Sequence, residues 1–370
     1  MRKALIKLHL WLGLVVGLLW ALQGLTGAAL VFHREMDRQA AGAVAPGPMA
    51  SLDRLVSEAE ARTASRVTMI GIADRPGDIL NVHYDDGGPR QLQVEAATGQ
   101  PLRERSNDPA TPFEGSGWRW VYLLHESLLL HDRGETLIGV SGLLLFSTLL
   151  SGLWLGFPRR RQWRKALDWR GWKSIRAKLF GWHRLAGITA GFLLLVTVPA
   201  GAWMVFAKDL RPALAAVVPH ELPFKPAALG ELGAVIAPQQ ALSQAQARFP
   251  GAAFVRLTMP TATAPVYAVR LRQPDETRAW SGVTTVTIDA RSGATLHVYD
   301  ALTAPLSNRL ADAAFSVHSG EIGGLVGRLL VMLAGLSLPA LYVTGIWAWW
   351  QRTRRKRGAA PALRPAAELA

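Results

Sequence analysis

Cysteine is absent from all 370 residues, which excludes disulfides, iron–sulfur clusters and thioether-linked haem. No Gly-x-Gly-x-x-Gly follows a strand-like run, so neither a nicotinamide nor a flavin domain is encoded. Charge is scarce over four long stretches, about 8–32, 134–157, 183–207 and 322–350, where only Glu135, Arg184 and Arg328 are fully charged. Each exceeds the roughly 20 apolar residues needed to span a bilayer core. With 50% hydrophobic residues and 14 Trp, the composition is that of a membrane protein rather than a soluble enzyme.

The net charge of +14 is confined to short segments beside these runs. Residues 1–7, 158–180 and 351–370 hold eighteen Lys and Arg against Asp168 and Glu368, so the remainder is slightly acidic. This pattern opposes nucleic-acid binding and fits the positive-inside rule. It predicts that both termini are cytoplasmic and that both long loops lie on the outer side. A basic start before the first run imitates a signal peptide. The run is too long for one, and its twin recurs mid-chain, so a retained helix is expected.

That twin reveals a repeat. An offset of 174 carries His9, Gly13, Gly17, Gly27 and Phe32 onto His183, Gly187, Gly191, Gly201 and Phe206. An offset of 193 carries His125, Gly142, Gly152, Trp154 and Arg159 onto His318, Gly335, Gly345, Trp347 and Arg352. The expected fold is a four-transmembrane-helix bundle built from an internal duplication, with two extracytoplasmic α+β domains. Its order is a cytoplasmic start (1–7), helix 8–32, periplasmic domain 33–133, helix 134–157, basic loop 158–180, helix 181–207, periplasmic domain 208–321, helix 322–350 and basic tail 351–370.

Within the first periplasmic segment, Leu52, Leu55, Val56 and Ala59 share a helical face after a capping Ser51. Strands are predicted at Val67–Ile72, Ile79–Tyr84 and Gln91–Glu95, divided by turns at Arg75-Pro76-Gly77, Gly87-Gly88-Pro89 and Thr98-Gly99. The second segment repeats the order with a helix near Pro238–Arg248. Its strands are predicted near Ala253–Thr258, Val266–Leu271, Val283–Asp289 and Thr295–Tyr299, and Arg291-Ser292-Gly293 takes the place of Ala97-Thr98-Gly99.

The His-x-x-x-Gly starts at His9 and His183, the strand-turn Val94-Glu95-Ala96-Ala97-Thr98-Gly99, and the entries at His125 and His318 resemble the PepSY-associated transmembrane family. The resemblance covers about residues 1–357. It implies an iron-regulated bacterial inner-membrane protein with PepSY-like outer domains, and for some members a haem-containing ferric-siderophore reductase.

Six histidines lie at span boundaries: His9 and His183 at the inner ends, His33, His125, His131 and His318 at the outer ends. Haem b suits them, because its iron accepts two neutral imidazoles from facing helices without a covalent anchor. Two haems are expected, the inner one on His9 and His183 and the outer one on His125 and His318, with His33 and His131 as competing outer ligands. The 24 residues from His9 to His33 correspond to about 36 Å of straight helix, which places the two layers on opposite sides of the bilayer. Arg34, Arg133 and Arg328 are candidate propionate partners, and Arg328 is equally a candidate partner for Glu135. Gly13, Gly17, Gly187 and Gly191 suit either a close macrocycle or close helix packing. His83, His220 and His297 lack metal-like spacing, and most Trp residues form an interfacial belt.

The function expected from this reading is one-electron reduction of a ferric siderophore to release Fe(II) on the periplasmic side, with electrons from a separate cytoplasmic reductase or the quinol pool. A siderophore permease without redox chemistry is the first alternative. A membrane-anchored sensor or protease-inhibitor module is the second.

Overall fold

A computed structural model describes residues 2–358, except 45–46, 74–77, 112, 115–116, 159, 165–171 and 229–230. The expected turn at Arg75-Pro76-Gly77, Arg159, Trp169 and the tail beyond 358 lie outside the described residues. The chain divides into two compact units. One comprises Met1–Ala28, Leu143–Leu195 and Leu333–Ala370, the other Ala29–Gly142 and Val196–Met332.

The first unit is helical. Its material comes from α1 (Arg2–Val15), α2 (Gly17–Leu30), α6 (His131–Gly156), α7 (Ile175–Ala215) and α10 (Gly324–Gly358). Among the described residues, three helices, His131–Gly156, Ile175–Ala215 and Glu321–Arg354, are long and apolar enough to cross a membrane, and a fourth span results if α1 and α2 count as one. Their burial is inside-out for a soluble protein: Trp154 is 72% exposed, and Leu143, Leu150, Phe192 and Val343 also turn outward. Side chains of this kind belong against lipid.

The expectation of one straight helix over 8–32 is corrected. α1 and α2 meet at 61° around Val16. At the bend, Gly17 backs onto the Tyr342 ring so closely that a Cβ there would stand 2.7 Å from Cδ2. Gly-containing breaks of this type are an ordinary cause of sharp kinks. The 36 Å figure, which assumed a straight helix from His9 to His33, therefore does not hold. Further along, a Cβ at Gly335 would stand 2.8 Å from the Gly24 carbonyl oxygen, so α2 and α10 touch backbone to backbone through small residues.

The second unit is built on one antiparallel sheet. β1 (Val67–Ile72), β2 (Ile79–Asp85), β3 (Pro89–Glu95) and β4 (Pro101–Ser106) form one half, and β5 (Ala253–Thr258), β6 (Val266–Arg272), β7 (Thr285–Asp289) and β8 (Thr295–Tyr299) the other. The order β4-β3-β2-β1-β5-β6-β7-β8 makes all eight strands continuous. The halves join through the antiparallel pairs Met69↔Thr258, Ile70↔Leu257 and Gly71↔Arg256. Gly71 is required there, since a Cβ would stand 2.8 Å from the Val255 carbonyl oxygen.

One face of the sheet carries α4 (Leu52–Thr63) and α8 (Pro238–Arg248). Ser51 accepts from the Arg54 amide at 3.4 Å and starts α4, whose Leu52, Leu55, Val56 and Ala59 then bury together. Strand alternation supplies Leu80, Val82, Leu92, Val269, Leu271 and Ile288 to the same core. The two helices cap each other: the Leu52 amide donates to Gln239 Oε1 at 2.9 Å, and the Gln239 amide donates to Asp53 Oδ1 at 2.8 Å. The opposite, more polar face meets α3 (His33–Ala40), α5 (Gly117–Ser127) and α9 (Leu306–Ser319). The two turns compared by sequence have one geometry. Gly99 and Gly293, both at positive φ, donate their amides to the carbonyls of Glu95 and Asp289 at 2.9 and 3.0 Å.

Candidate functional site

α1 and α7 bring His9 and His183 together in the helical unit, their ring centres 6.3 Å apart and nearly perpendicular. His9 Nδ1 lies 3.2 Å from the Thr148 carbonyl oxygen and 3.3 Å from Ser151 Oγ, both on α6. His183 Nδ1 lies 3.1 Å from both the Leu341 carbonyl oxygen and Thr344 Oγ1, on α10. The 193 offset carries Thr148 and Ser151 onto Leu341 and Thr344, so both imidazoles are held by related positions. A carbonyl oxygen only accepts, which puts the proton on Nδ1 and leaves the Nε2 lone pair available to a metal.

Each ring also rests on a glycine. A Cβ at Gly152 would come within 2.8 Å of His9 Cε1, and one at Gly345 within 3.4 Å of His183 Cε1. A side chain at Gly152 would push the His9 imidazole out of its groove, whereas a Cβ at Gly345 would make only ordinary van der Waals contact with His183. The neighbouring glycines divide into two kinds. Gly17 packs on Tyr342 and Gly191 on Leu153, which is helix packing, whereas a Cβ at Gly13 would meet nothing within 4 Å and one at Gly187 only Leu341 at 3.7 Å.

In the second unit, α5 and α9 place His125 and His318 with ring centres 6.1 Å apart. His318 Nδ1 donates to the Thr197 carbonyl oxygen at 2.8 Å, and its ring lies where a Cβ on Gly201 would be 2.7 Å from Cε1. Burial lowers the basicity of this imidazole and favours its neutral, ligating form.

Two imidazoles that share one metal at about 2.0–2.1 Å each place their ring centres about 6 Å apart. Both pairs meet that spacing. Two nitrogens alone do not hold a free cation, and among the described residues no group of three or more His, Asp or Glu is arranged to do so. Each pair could give two imidazole nitrogens to a cofactor that brings its own remaining donors.

The other boundary histidines are placed differently. His33 Nδ1 bonds its own Leu30 carbonyl at 2.5 Å and lines a cavity of the first sheet half, while His131 opens α6 in an exposed position at positive φ. Arg328 takes Glu35 as its carboxylate partner, not Glu135, with contacts of 2.5 and 2.8 Å, and also donates to the Val31 carbonyl and lies over the Phe32 ring. The Arg328 guanidinium in turn holds the Glu35 carboxyl below its usual range. Trp172 departs from the belt, buried edge-on against Trp182, whereas Trp154, Trp347 and Trp350 stay exposed. The positioning groups, namely the carbonyls of Thr148, Leu341 and Thr197 with Gly152, Gly201 and Gly345, escaped sequence reasoning as a set. The paired offsets contained them, since Gly152 and Gly345 already matched.

Apolar helices long enough to cross a membrane, paired histidines and a separate antiparallel sheet define a helical membrane protein with a folded sheet domain. The chain belongs to the family described as the PepSY-associated TM region, which matches residues 6–352. No curated protein matches the chain.

Proposed function

We propose that this protein is an inner-membrane haem b electron carrier that reduces ferric siderophores and releases Fe(II) on the periplasmic side. The observation that carries this reading is the pair of imidazole pairs at 6.3 and 6.1 Å, with Nδ1 of His9, His183 and His318 bonded to backbone carbonyls and the rings seated on glycines. His9 with His183 would hold one haem, His125 with His318 the other. Haem supplies a reversible one-electron couple when bound. The chain fixes the tautomers of His9, His183 and His318 through backbone carbonyls and seats their rings against glycines.

In the architecture that goes with this function, a duplicated four-span bundle carries two periplasmic PepSY-like modules, and electrons enter from a separate cytoplasmic reductase or quinol. Hydroxamate and carboxylate oxygens hold Fe(III) far better than Fe(II), so adding one electron to the chelated iron loosens it without breaking a bond in the ligand. A visible spectrum of the purified protein tests the reading most directly. A Soret band with sharp low-spin bands that respond to dithionite is expected. Protein without a Soret band after expression with haem supplied would return the chain to the permease or sensor alternatives.

The topology has its own test, because the basic segments flank the spans. A reporter active only in the cytoplasm should work when inserted near Gln162 or fused after Arg357, and should be silent near Gly87. Activity at Gly87 would invert the orientation and move the reduction to the cytoplasmic side.

A further inference from the structure

The polar face of the first sheet half carries a half-open cavity of about 270 Å³ that neither histidine pair lines. At about 30 Å³ per water, it has room for roughly nine waters or one small organic molecule. Its lining holds five arginines, Arg34, Arg38, Arg103, Arg105 and Arg119, against one carboxylate, Asp37.

The floor is rigidly made. Gln91 and Gln93 both donate to Asn81 Oδ1, at 2.6 and 2.8 Å, and Gln93 Oε1 accepts from Arg103 Nε at 2.5 Å. Arg105, only 9% exposed, grips Asp37 with two contacts of 2.9 and 3.2 Å, and Arg103 adds a third at 3.3 Å. Asp37 thus shows how a carboxylate is received here. Arg38 pairs with Asp78 at 3.4 Å. Two guanidiniums keep donor capacity. Arg119 donates through one terminal nitrogen to the Asn107 carbonyl, yet its buried Nε has no partner, and Arg34 makes no hydrogen bond or ion pair among the described residues. A guanidinium carries five N–H donors, so both arginines keep terminal donors for an anion in the cavity.

Related positions in the second half are built otherwise. Counted from the shared Gly99 and Gly293 turns, Gln91, Gln93, Arg103 and Arg105 correspond to Thr285, Thr287, His297 and Tyr299. The offsets of 174 and 193 carry Asp37 and Arg119 onto Arg211 and Asp312, with the charges exchanged. There Asp312 accepts from Tyr299 and lies 3.8 Å from Arg211. The amide floor and its arginine pair belong to the first half alone. That is what a ligand site added to one copy of a scaffold looks like.

We propose that this cavity binds a small molecule bearing two or three carboxylates, free or as its ferric chelate. Planar guanidinium forks match carboxylates two contacts at a time, and an excess of four positive charges among the lining residues rejects cationic ligands. The site stands on the first sheet half and does not require that the histidines hold haem.

The test is calorimetric titration of the detergent-purified full chain with citrate at low ionic strength. Saturable one-to-one binding is expected, weakened about tenfold or more by Arg34→Gln and by Arg119→Gln, with the citrate-free melting temperature unchanged in at least one of them. Absence of saturable binding overturns the proposal, as does citrate binding that both variants leave unaltered. Equal competition by sulfate or phosphate overturns the carboxylate class. If citrate does not bind and the variants instead lose haem, the proposal fails and these arginines belong to haem propionates.

Discussion

His9→Ala and His183→Ala proteins are each expected to retain about half the haem of the unaltered chain, because each removes one of only two axial nitrogens from a single pair. The bands that remain should be low-spin, since His125 and His318 are untouched. Gly152→Leu should reproduce the loss while every histidine stays in place, because a Cβ there already reaches within 2.8 Å of His9 Cε1 and the longer side chain displaces the ring. This second variant separates ligation from mere presence of the imidazole. Pyridine haemochrome quantitation against protein concentration measures both. Full haem with unchanged spectra in His9→Ala and His183→Ala would show these histidines to be structural and would end the two-haem reading.

The other large effect concerns the acceptor. Protein reconstituted in liposomes, reduced with dithionite and freed of excess reductant, is expected to be reoxidised by a ferric hydroxamate siderophore supplied on the side of the sheet domain. A ferrous-specific chelator on that side should trap the iron. His318→Ala should slow this step more than His9→Ala, because the pair nearest in sequence to the sheet modules would be the terminal donor. Gly201→Leu should behave as His318→Ala does, given the 2.7 Å approach of a Cβ to that ring. Equal slowing by the inner and outer variants would indicate a shared defect or a path limited at the inner pair. Failure of every ferric chelate to reoxidise protein that holds reducible haem would leave an electron carrier with some other acceptor, such as a periplasmic protein docked on the sheet.

Much of the fold was legible one residue at a time. Apolar runs announced the spans, because a segment in hydrocarbon must be apolar over its whole length. Strands such as Val67–Ile72 and Ala253–Thr258 were visible because one face buries and alternation records it. β4 was not: Pro101–Ser106 is an edge strand whose Arg103 and Arg105 face the polar cavity, so no apolar alternation marks it. The pairing of His9 with His183 and of His125 with His318 followed from the offsets, since related positions in two copies tend to meet near a common axis.

What the sequence by itself determined is therefore what a residue's own chemistry decides: which stretches enter lipid, where positive charge gathers, that thiolate chemistry is absent, and which imidazoles recur. Only the tertiary structure decided which partner each group takes. The 61° break between α1 and α2, where Gly17 backs onto Tyr342 of α10, leaves no mark in an apolar run that reads as continuous. The sorting of glycines into ring seats and packing contacts depends on what lies across the interface, and glycine itself carries no mark of it. The merger of two modules into one sheet depends on β1 and β5 meeting edge to edge, and the preference of Arg328 for Glu35 depends on which carboxylate the fold brings within reach. These are contacts between residues distant in sequence, set by packing and hydrogen-bond geometry that no local pattern encodes.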